Sequence, residues 1–195
     1  MGLTKYVKTC ARHTPGNQKL ILMGVDKIGT ITIDATNGLT ILSGTGASTF
    51  AYVAEVDLDG LKRTEEGVTT KGGLFYVNQK IEAHFSKASV DLQDFVTGLA
   101  DQSACGLVAI VLDNNSMMWV LGVYPDAAGT AGIAKGLYME SGNFDSGLAG
   151  DDEEGDKFVI TLTGQIPSHA IPVKAGQVLG DIVAGVITQY IIKNP

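Results

Sequence analysis

Two apolar runs, Gly106 to Leu112 and Met117 to Val123, flank Asp113-Asn114-Asn115-Ser116. Asparagine tolerates the positive φ of tight turns, so this spacing predicts an antiparallel β-hairpin. Neither run, nor any other stretch of the chain, reaches the roughly 18 uninterrupted apolar residues that a membrane-crossing helix needs. A chain built around such a pair folds by sheet formation.

The flanking sequence extends the β pattern. Lys19 to Met23 and Ile28 to Ile33 read as strands divided by Gly24-Val25-Asp26, and Leu39 to Leu42 follows Asn37-Gly38, a strong hairpin signal. Ser43 to Thr49 reads as a loop or weak strand. Phe50 to Leu58 alternates, with Tyr52, Ala54, Val56 and Leu58 on one face. Lys62 to Gly73 is polar and glycine-rich and is expected to be an exposed loop. Leu74 to Lys87 is a long strand with Phe75, Val77, Ile81, Ala83 and Phe85 on one side. Pro125 to Gly136 reads as a loop, Leu137 to Glu140 as a strand, Ser141 to Gly150 as turns, and Lys157 to Leu162 as a strand.

One helix is expected, over Val90 to Gln102. Ser89 is its cap, Asp91 and Asp94 lie where the helix dipole favours anions, and Leu92, Phe95, Val96 and Leu99 recur at helical spacing. From Val178 to Ile191 apolar pairs recur every four residues, yet glycines and β-branched residues weaken a helix. A short helix running into a strand is the reading there. The fold class is mainly β with one flanking helix and a possible C-terminal helix, as an arm over residues 1–18 and one β-rich domain over 19–195.

Composition narrows the function. Fourteen basic against 21 acidic side chains give a net charge of −7, the opposite of what releases counterions from nucleic acid. Twenty-five glycines and only 18% charged residues exclude disorder and coiled coils. Cys10 and Cys105 show no paired spacing and read as buried, reduced thiols. No signal peptide is evident. His13, His84 and His169 are scattered and do not suggest a zinc site. Gly44 to Thr49 lacks the lysine of a phosphate loop and precedes a strand. The run Asp151, Asp152, Glu153, Glu154, Gly155, Asp156 lacks the spacing of a calcium hand. Trp119 and Met117-Met118 read as core. No catalytic residue, cofactor or metal is expected, and the chain is read as a non-enzyme.

Charge is unevenly placed. Lys5, Lys8, Arg12, Lys19 and Lys27 stand against Asp26 alone in the first 30 residues, so a basic arm complements the acidic run at 151–156. A head-to-tail contact between them would favour rings or stacked filaments.

The order of elements, with Asp101-Gln102-Ser103-Ala104-Cys105-Gly106, the hairpin Leu107 to Gly122, and Gly155-Asp156-Lys157-Phe158-Val159-Ile160-Thr161-Leu162-Thr163-Gly164, resembles small tail proteins of tailed bacteriophages, especially those of Bacteroidetes and crAss-like phages. Leu3-Thr4-Lys5-Tyr6, Cys10-Ala11-Arg12-His13-Thr14 and Gly16-Asn17 are similar to the same group. The resemblance implies a β-sandwich or half-barrel of tail-tube type. Such subunits form six-fold or twelve-fold rings, contact other tail or connector proteins, and let DNA pass without specific binding. It also implies residence in the virion tail after synthesis in the host cytoplasm. The acidic run and the Gly/Ala-rich loop depart from the best-known tubes, which leaves tube, collar and head–tail adaptor open.

Candidate assembly contacts are Lys5, Lys8 and Arg12 of the arm, Asn37 and Gly38, Lys62 and Arg63, and Asp151, Asp152, Glu153, Glu154 and Asp156. Unpaired strand edges are templates for another chain. The rival reading is a virion surface decoration or a carbohydrate- or receptor-binding β-sandwich, whose mark would be exposed aromatics on a concave face. A hydrolase is a third reading and would need a histidine–carboxylate pair in a cleft.

Overall fold

The structure, a computed structural model, describes residues 19–34, 38–44, 50–55, 60–86, 90–112, 118–145, 157–173 and 187–191. Its strands begin with Lys19–Gly24 (β1), Ile28–Asp34 (β2), Gly38–Gly44 (β3), Phe50–Glu55 (β4), Leu61–Thr69 (β5), Phe75–Ser86 (β6) and Leu107–Leu112 (β7). They continue with Met118–Leu121 (β8), Val123–Pro125 (β9), Gly132–Ala134 (β10), Tyr138–Asp145 (β11), Lys157–Ile166 (β12), Ile171–Pro172 (β13) and Ile187–Ile191 (β14). One helix, Val90–Ser103 (α1), is present among the described residues. Among the described residues the protein is mainly β with one α-helix, in line with the fold class its residue pattern predicts.

A six-stranded sheet runs β13-β8-β7-β1-β4-β14 and a four-stranded sheet runs β11-β12-β6-β5. Between them lies the main core. Leu20 and Leu22 of β1 and Leu107, Ala109 and Val111 of β7 meet Ile81, Ala83 and Phe85 of β6 and Phe158, Ile160 and Leu162 of β12. Helix α1 adds Phe95 and Leu99 to the same core. On the far face of the six-stranded sheet, Ile21, Met23, Val108 and Ile110 pack against Ile31 and Ile33 of β2 and Val123 of β9. Strands β1 and β7 are therefore covered on both faces, which is why their sequences are continuously apolar instead of alternating. Their pairing aligns Leu20 with Val111 and Leu22 with Ala109.

Local patterning predicts the β7–β8 hairpin, α1, β1, β2, β4, β6 and β12 at their positions. Strand β3 pairs Asp34 with Gly38, so Gly38 begins a strand instead of sitting in a two-residue turn. In the tail, β14 runs parallel to β4 with Ile187 opposite Phe50. Residues 178–186, where a helix is expected, lie outside the described residues, as do Ser89 and residues 146–156.

Five expectations are corrected. Lys62 to Gly73 is no loop: β5 occupies Leu61–Thr69, and only the turn at 70–74 is irregular. Pro125 to Gly136 contains β10, which pairs with β9. Ser141 to Asp145 continues β11, with a bulge between Met139 and Ser141. The run Met117 to Val123 is broken at Gly122, whose φ of +83° ends β8 and redirects the chain into β9. An added Cβ at Gly122 would lie 2.9 Å from the Leu107 carbonyl oxygen, so both conformation and contact require glycine there. Cys105 is exposed, contrary to the expected burial; it follows α1 in the turn that leads to β7.

Candidate assembly surface

The four-stranded sheet has one buried and one polar face. Residues 77, 79, 81, 83 and 85 of β6 are buried against the core, and their alternates Asn78, Lys80, Glu82 and His84 lie on the other side. Register carries this polar face across all four strands. Thr64 of β5 stands opposite Lys80, Lys80 opposite Thr163, and Thr163 opposite Tyr138 of β11. Glu66, Asn78 and Gln165 form the next row. A shallow groove of about 350 Å³ runs over these rows, lined by Thr64, Glu66, Asn78, Lys80, Glu140 and Gln165 among others. Glu140 sits in the β11 bulge, which gives it no partner in the β11–β12 register; bulges re-aim side chains in this way.

Charges on this face are paired along β6 and across from β6 to β5. Lys80 Nζ lies 2.8 Å from Glu82 Oε1, and Lys62 Nζ lies 3.9 Å from Glu82 Oε2. The hydrogen bond from Lys80 holds the Glu82 carboxyl below its ordinary value, and the same bond raises Lys80.

The outer strands β5 and β11 each have one side without a strand partner among the described residues. Strand β5 points charges into the seam between the sheets. Leu61, Arg63 and Glu65 stand opposite Ala83, Ile81 and Gln79, all buried residues. The Arg63 guanidinium carbon lies 4.2 Å from the Trp119 ring centroid, and its Nε is 3.3 Å from Glu65 Oε1. Arg63 Nη1 is buried without a hydrogen-bond partner, and the indole face is what offsets its desolvation. Glu65 Oε2 accepts a hydrogen bond from the Ala170 backbone N–H at 2.9 Å and lies 3.0 Å from His169 Nδ1.

Beside this cluster, Gln79 is fully buried. Its Nε2 donates to the Ser168 carbonyl at 3.0 Å, and its Oε1 accepts from the Gly122 N–H at 2.9 Å. It thus stitches β6 to the β8–β9 junction in the opposite layer. At the far end of the β5–β6 hairpin, Leu74 and Phe75 are 72% and 49% exposed, and the Phe75 ring centroid lies 6.4 Å from that of His169.

Of the residues predicted to make contacts, Lys62 and Arg63 are described. Both lie on β5, but on opposite faces: Lys62 is exposed, and Arg63 belongs to the seam. Gly38 lies at the start of β3. Lys5, Lys8, Arg12, Asn37, Asp151, Asp152, Glu153, Glu154 and Asp156 lie outside the described residues. Sequence reasoning missed Glu65, Gln79 and Glu140. Gln79 has the parity of Val77 and Ile81, and that parity was the available signal for its burial. Among the described residues no three His, Cys, Asp or Glu side chains converge as a metal site would require, and no helix is long and apolar enough to cross a membrane. No protein-family model, no curated protein and no solved structure matches the chain.

Proposed function

We propose that the protein is a non-enzymatic structural subunit of a bacteriophage tail, which assembles into rings or a tube around the DNA path. The observation that carries this reading is a four-stranded sheet whose two different edges, β5 and β11, have no further strand partner among the described residues. A contact from β5 of one subunit to β11 of the next is head-to-tail, and such contacts close into rings when the rotation permits. All neighbours in the sheet are antiparallel, so β5 and β11 run in opposite directions. Repeating the unit head-to-tail therefore keeps the joined sheet antiparallel throughout.

The layers behind the four-stranded sheet are wider than the sheet itself and belong on the outside of any ring it forms. The polar face then turns inward. Six subunits would supply about 24 strands, and at roughly 4.8 Å spacing and a tilt near 40° they enclose a barrel about 48 Å across. That is wide enough for a DNA duplex. Glu66, Glu82 and Glu140 outnumber Lys62 and Lys80 on this face, and with the net charge of −7 they disfavour adhesion of phosphates. In this proposal the partners are further copies of the chain and other tail or connector proteins, and the basic arm and acidic run add a salt-sensitive contact between copies.

The mass by light scattering over a concentration and salt series tests the reading. Discrete multiples of the 20.4 kDa subunit are expected; a single-subunit mass at every concentration refutes it. A second reading, a glycan-binding surface module, is favoured by Tyr138, which is 47% exposed beside the polar groove. Retention of the protein on a glycan array, abolished by Tyr138→Ala, would support that reading over assembly.

A further inference from the structure

We propose that the β4 edge of the six-stranded sheet is an acceptor site for an extended peptide segment, and that β14 occupies it as a displaceable cover. The inference stands apart from the assembly reading and concerns the other sheet.

Strand β14 is held differently from the rest of its sheet. It pairs with β4 from Ile187 opposite Phe50 to Ile191 opposite Ala54. This is the one parallel pair among the described strands. Parallel pairing is slightly less stable per residue than antiparallel pairing. Strand β14 has five residues and no second strand neighbour among the described residues. By contrast, β1 and β7 are paired on both sides and covered on both faces.

Chain connectivity adds little to this seat. The order β13-β8-β7-β1-β4-β14 puts β13 and β14 at opposite edges of the sheet. Four antiparallel steps and a final parallel one make the two strands run the same way. Residues 174–186 therefore join strands about 24 Å apart across the sheet, at roughly 4.8 Å per spacing. No hairpin clamps β14 to β4. A tether of this length presents its strand at an effective concentration of about 1 mM. A free segment of the same kind competes at that concentration. With β14 displaced, β4 offers a row of N–H and C=O groups, the template for strand addition. The occupant that fits is an extended peptide running parallel to β4. Strand-forming residues suit it, as in Ile187-Thr188-Gln189-Tyr190-Ile191.

A labelled peptide of residues 187–195, titrated into the full-length protein, tests the site. Its half-saturation concentration is the sum of its own dissociation constant and the effective concentration of β14, so about 1 mM or more is expected. Thr188→Pro and Gln189→Pro loosen the cover. Successive strand amides point to opposite sides, so one of the two prolines removes a hydrogen bond to β4. That variant should bind the peptide about tenfold more tightly or better, with an unchanged circular dichroism spectrum. In the parent, the best-protected β14 amide should exchange its hydrogen about a hundredfold faster than the amides of β1. Proline variants that bind no more tightly than the parent overturn the proposal, as do β14 amides as protected as those of β1. Where both variants lose their fold, the exchange comparison decides alone. Each of these outcomes leaves the assembly reading to the light-scattering series, which measures it separately.

Discussion

Replacing Gln79 by leucine removes two hydrogen bonds from the centre of the seam while nearly keeping the side-chain volume. Gln79 is fully buried, so no water stands by to substitute. The Gly122 N–H, now 2.9 Å from Gln79 Oε1 in a buried setting, would lose its acceptor. An orphaned buried donor costs about 1–3 kcal/mol. The Ser168 carbonyl lies in a part-buried contact and can turn to solvent, so its share is smaller. The added apolar surface of leucine offsets part of the loss. A net destabilisation of about 1–3 kcal/mol follows, which for a domain of this size lowers the melting temperature by roughly 2–10 °C.

Glutamate at the same position sharpens the test. When protonated it reproduces the donor and acceptor of glutamine. When ionised it offers a second carboxylate oxygen to the Ser168 carbonyl and stands directly opposite Glu65. Burial and that like charge raise the folded-state pKa of the new carboxyl above its unfolded value of about 4.3. Gln79→Glu is therefore destabilised above the unfolded pKa, and the penalty disappears as pH falls below it. Urea unfolding of both variants at pH 7 and near pH 4 measures this. The reasoning is refuted by Gln79→Leu that is as stable as the parent, or by Gln79→Glu with the same deficit at both pH values.

Three further outcomes are expected. Gly122→Ala forces a Cβ onto a φ of +83° and to within 2.9 Å of the Leu107 carbonyl oxygen, and should lower stability by about 2 kcal/mol or more in denaturant melts. Arg63→Leu strips the cation from the face of Trp119, the chain's one tryptophan, so its fluorescence should shift together with a loss of about 1–3 kcal/mol. The Lys80–Glu82 bond stabilises the fold above the ordinary carboxyl value of 4.5, with the effect lost as pH falls through the lowered value, and below the ordinary amine value of 10.5, with the effect lost as pH rises through the raised one. Lys80→Ala should return the Glu82 carboxyl upward in an NMR titration, with little change in stability because both groups face solvent.

What was legible in the residues was local. The β7–β8 hairpin is announced by two apolar runs around Asp113 to Ser116, and α1 by Phe95, Val96 and Leu99, because each pattern is complete within a short span. Strand β5 was hidden because its inward row reads Leu61, Arg63, Glu65, Gly67, with no apolar alternation to count. The groups that satisfy Arg63 and Glu65 are Trp119, His169 and Ala170, at least 56 residues away in sequence, and no local pattern reveals them. The placement of β1 between β4 and β7 is equally non-local. Strands β9, β10 and β13 are too short for a period to emerge. Of the surface argued for assembly, Lys62 was legible as an exposed charge, whereas Glu140 acquires its position from a bulge.

The central claim is that the four-stranded sheet closes on itself through its β5 and β11 edges. Negative-stain imaging of the concentrated full-length protein addresses it most directly. Closed rings or tubes with a stain-filled lumen are predicted, their diameter consistent with a barrel of about 48 Å set inside the outer layers. Fields of single particles of subunit size, or open aggregates without a lumen, would contradict it.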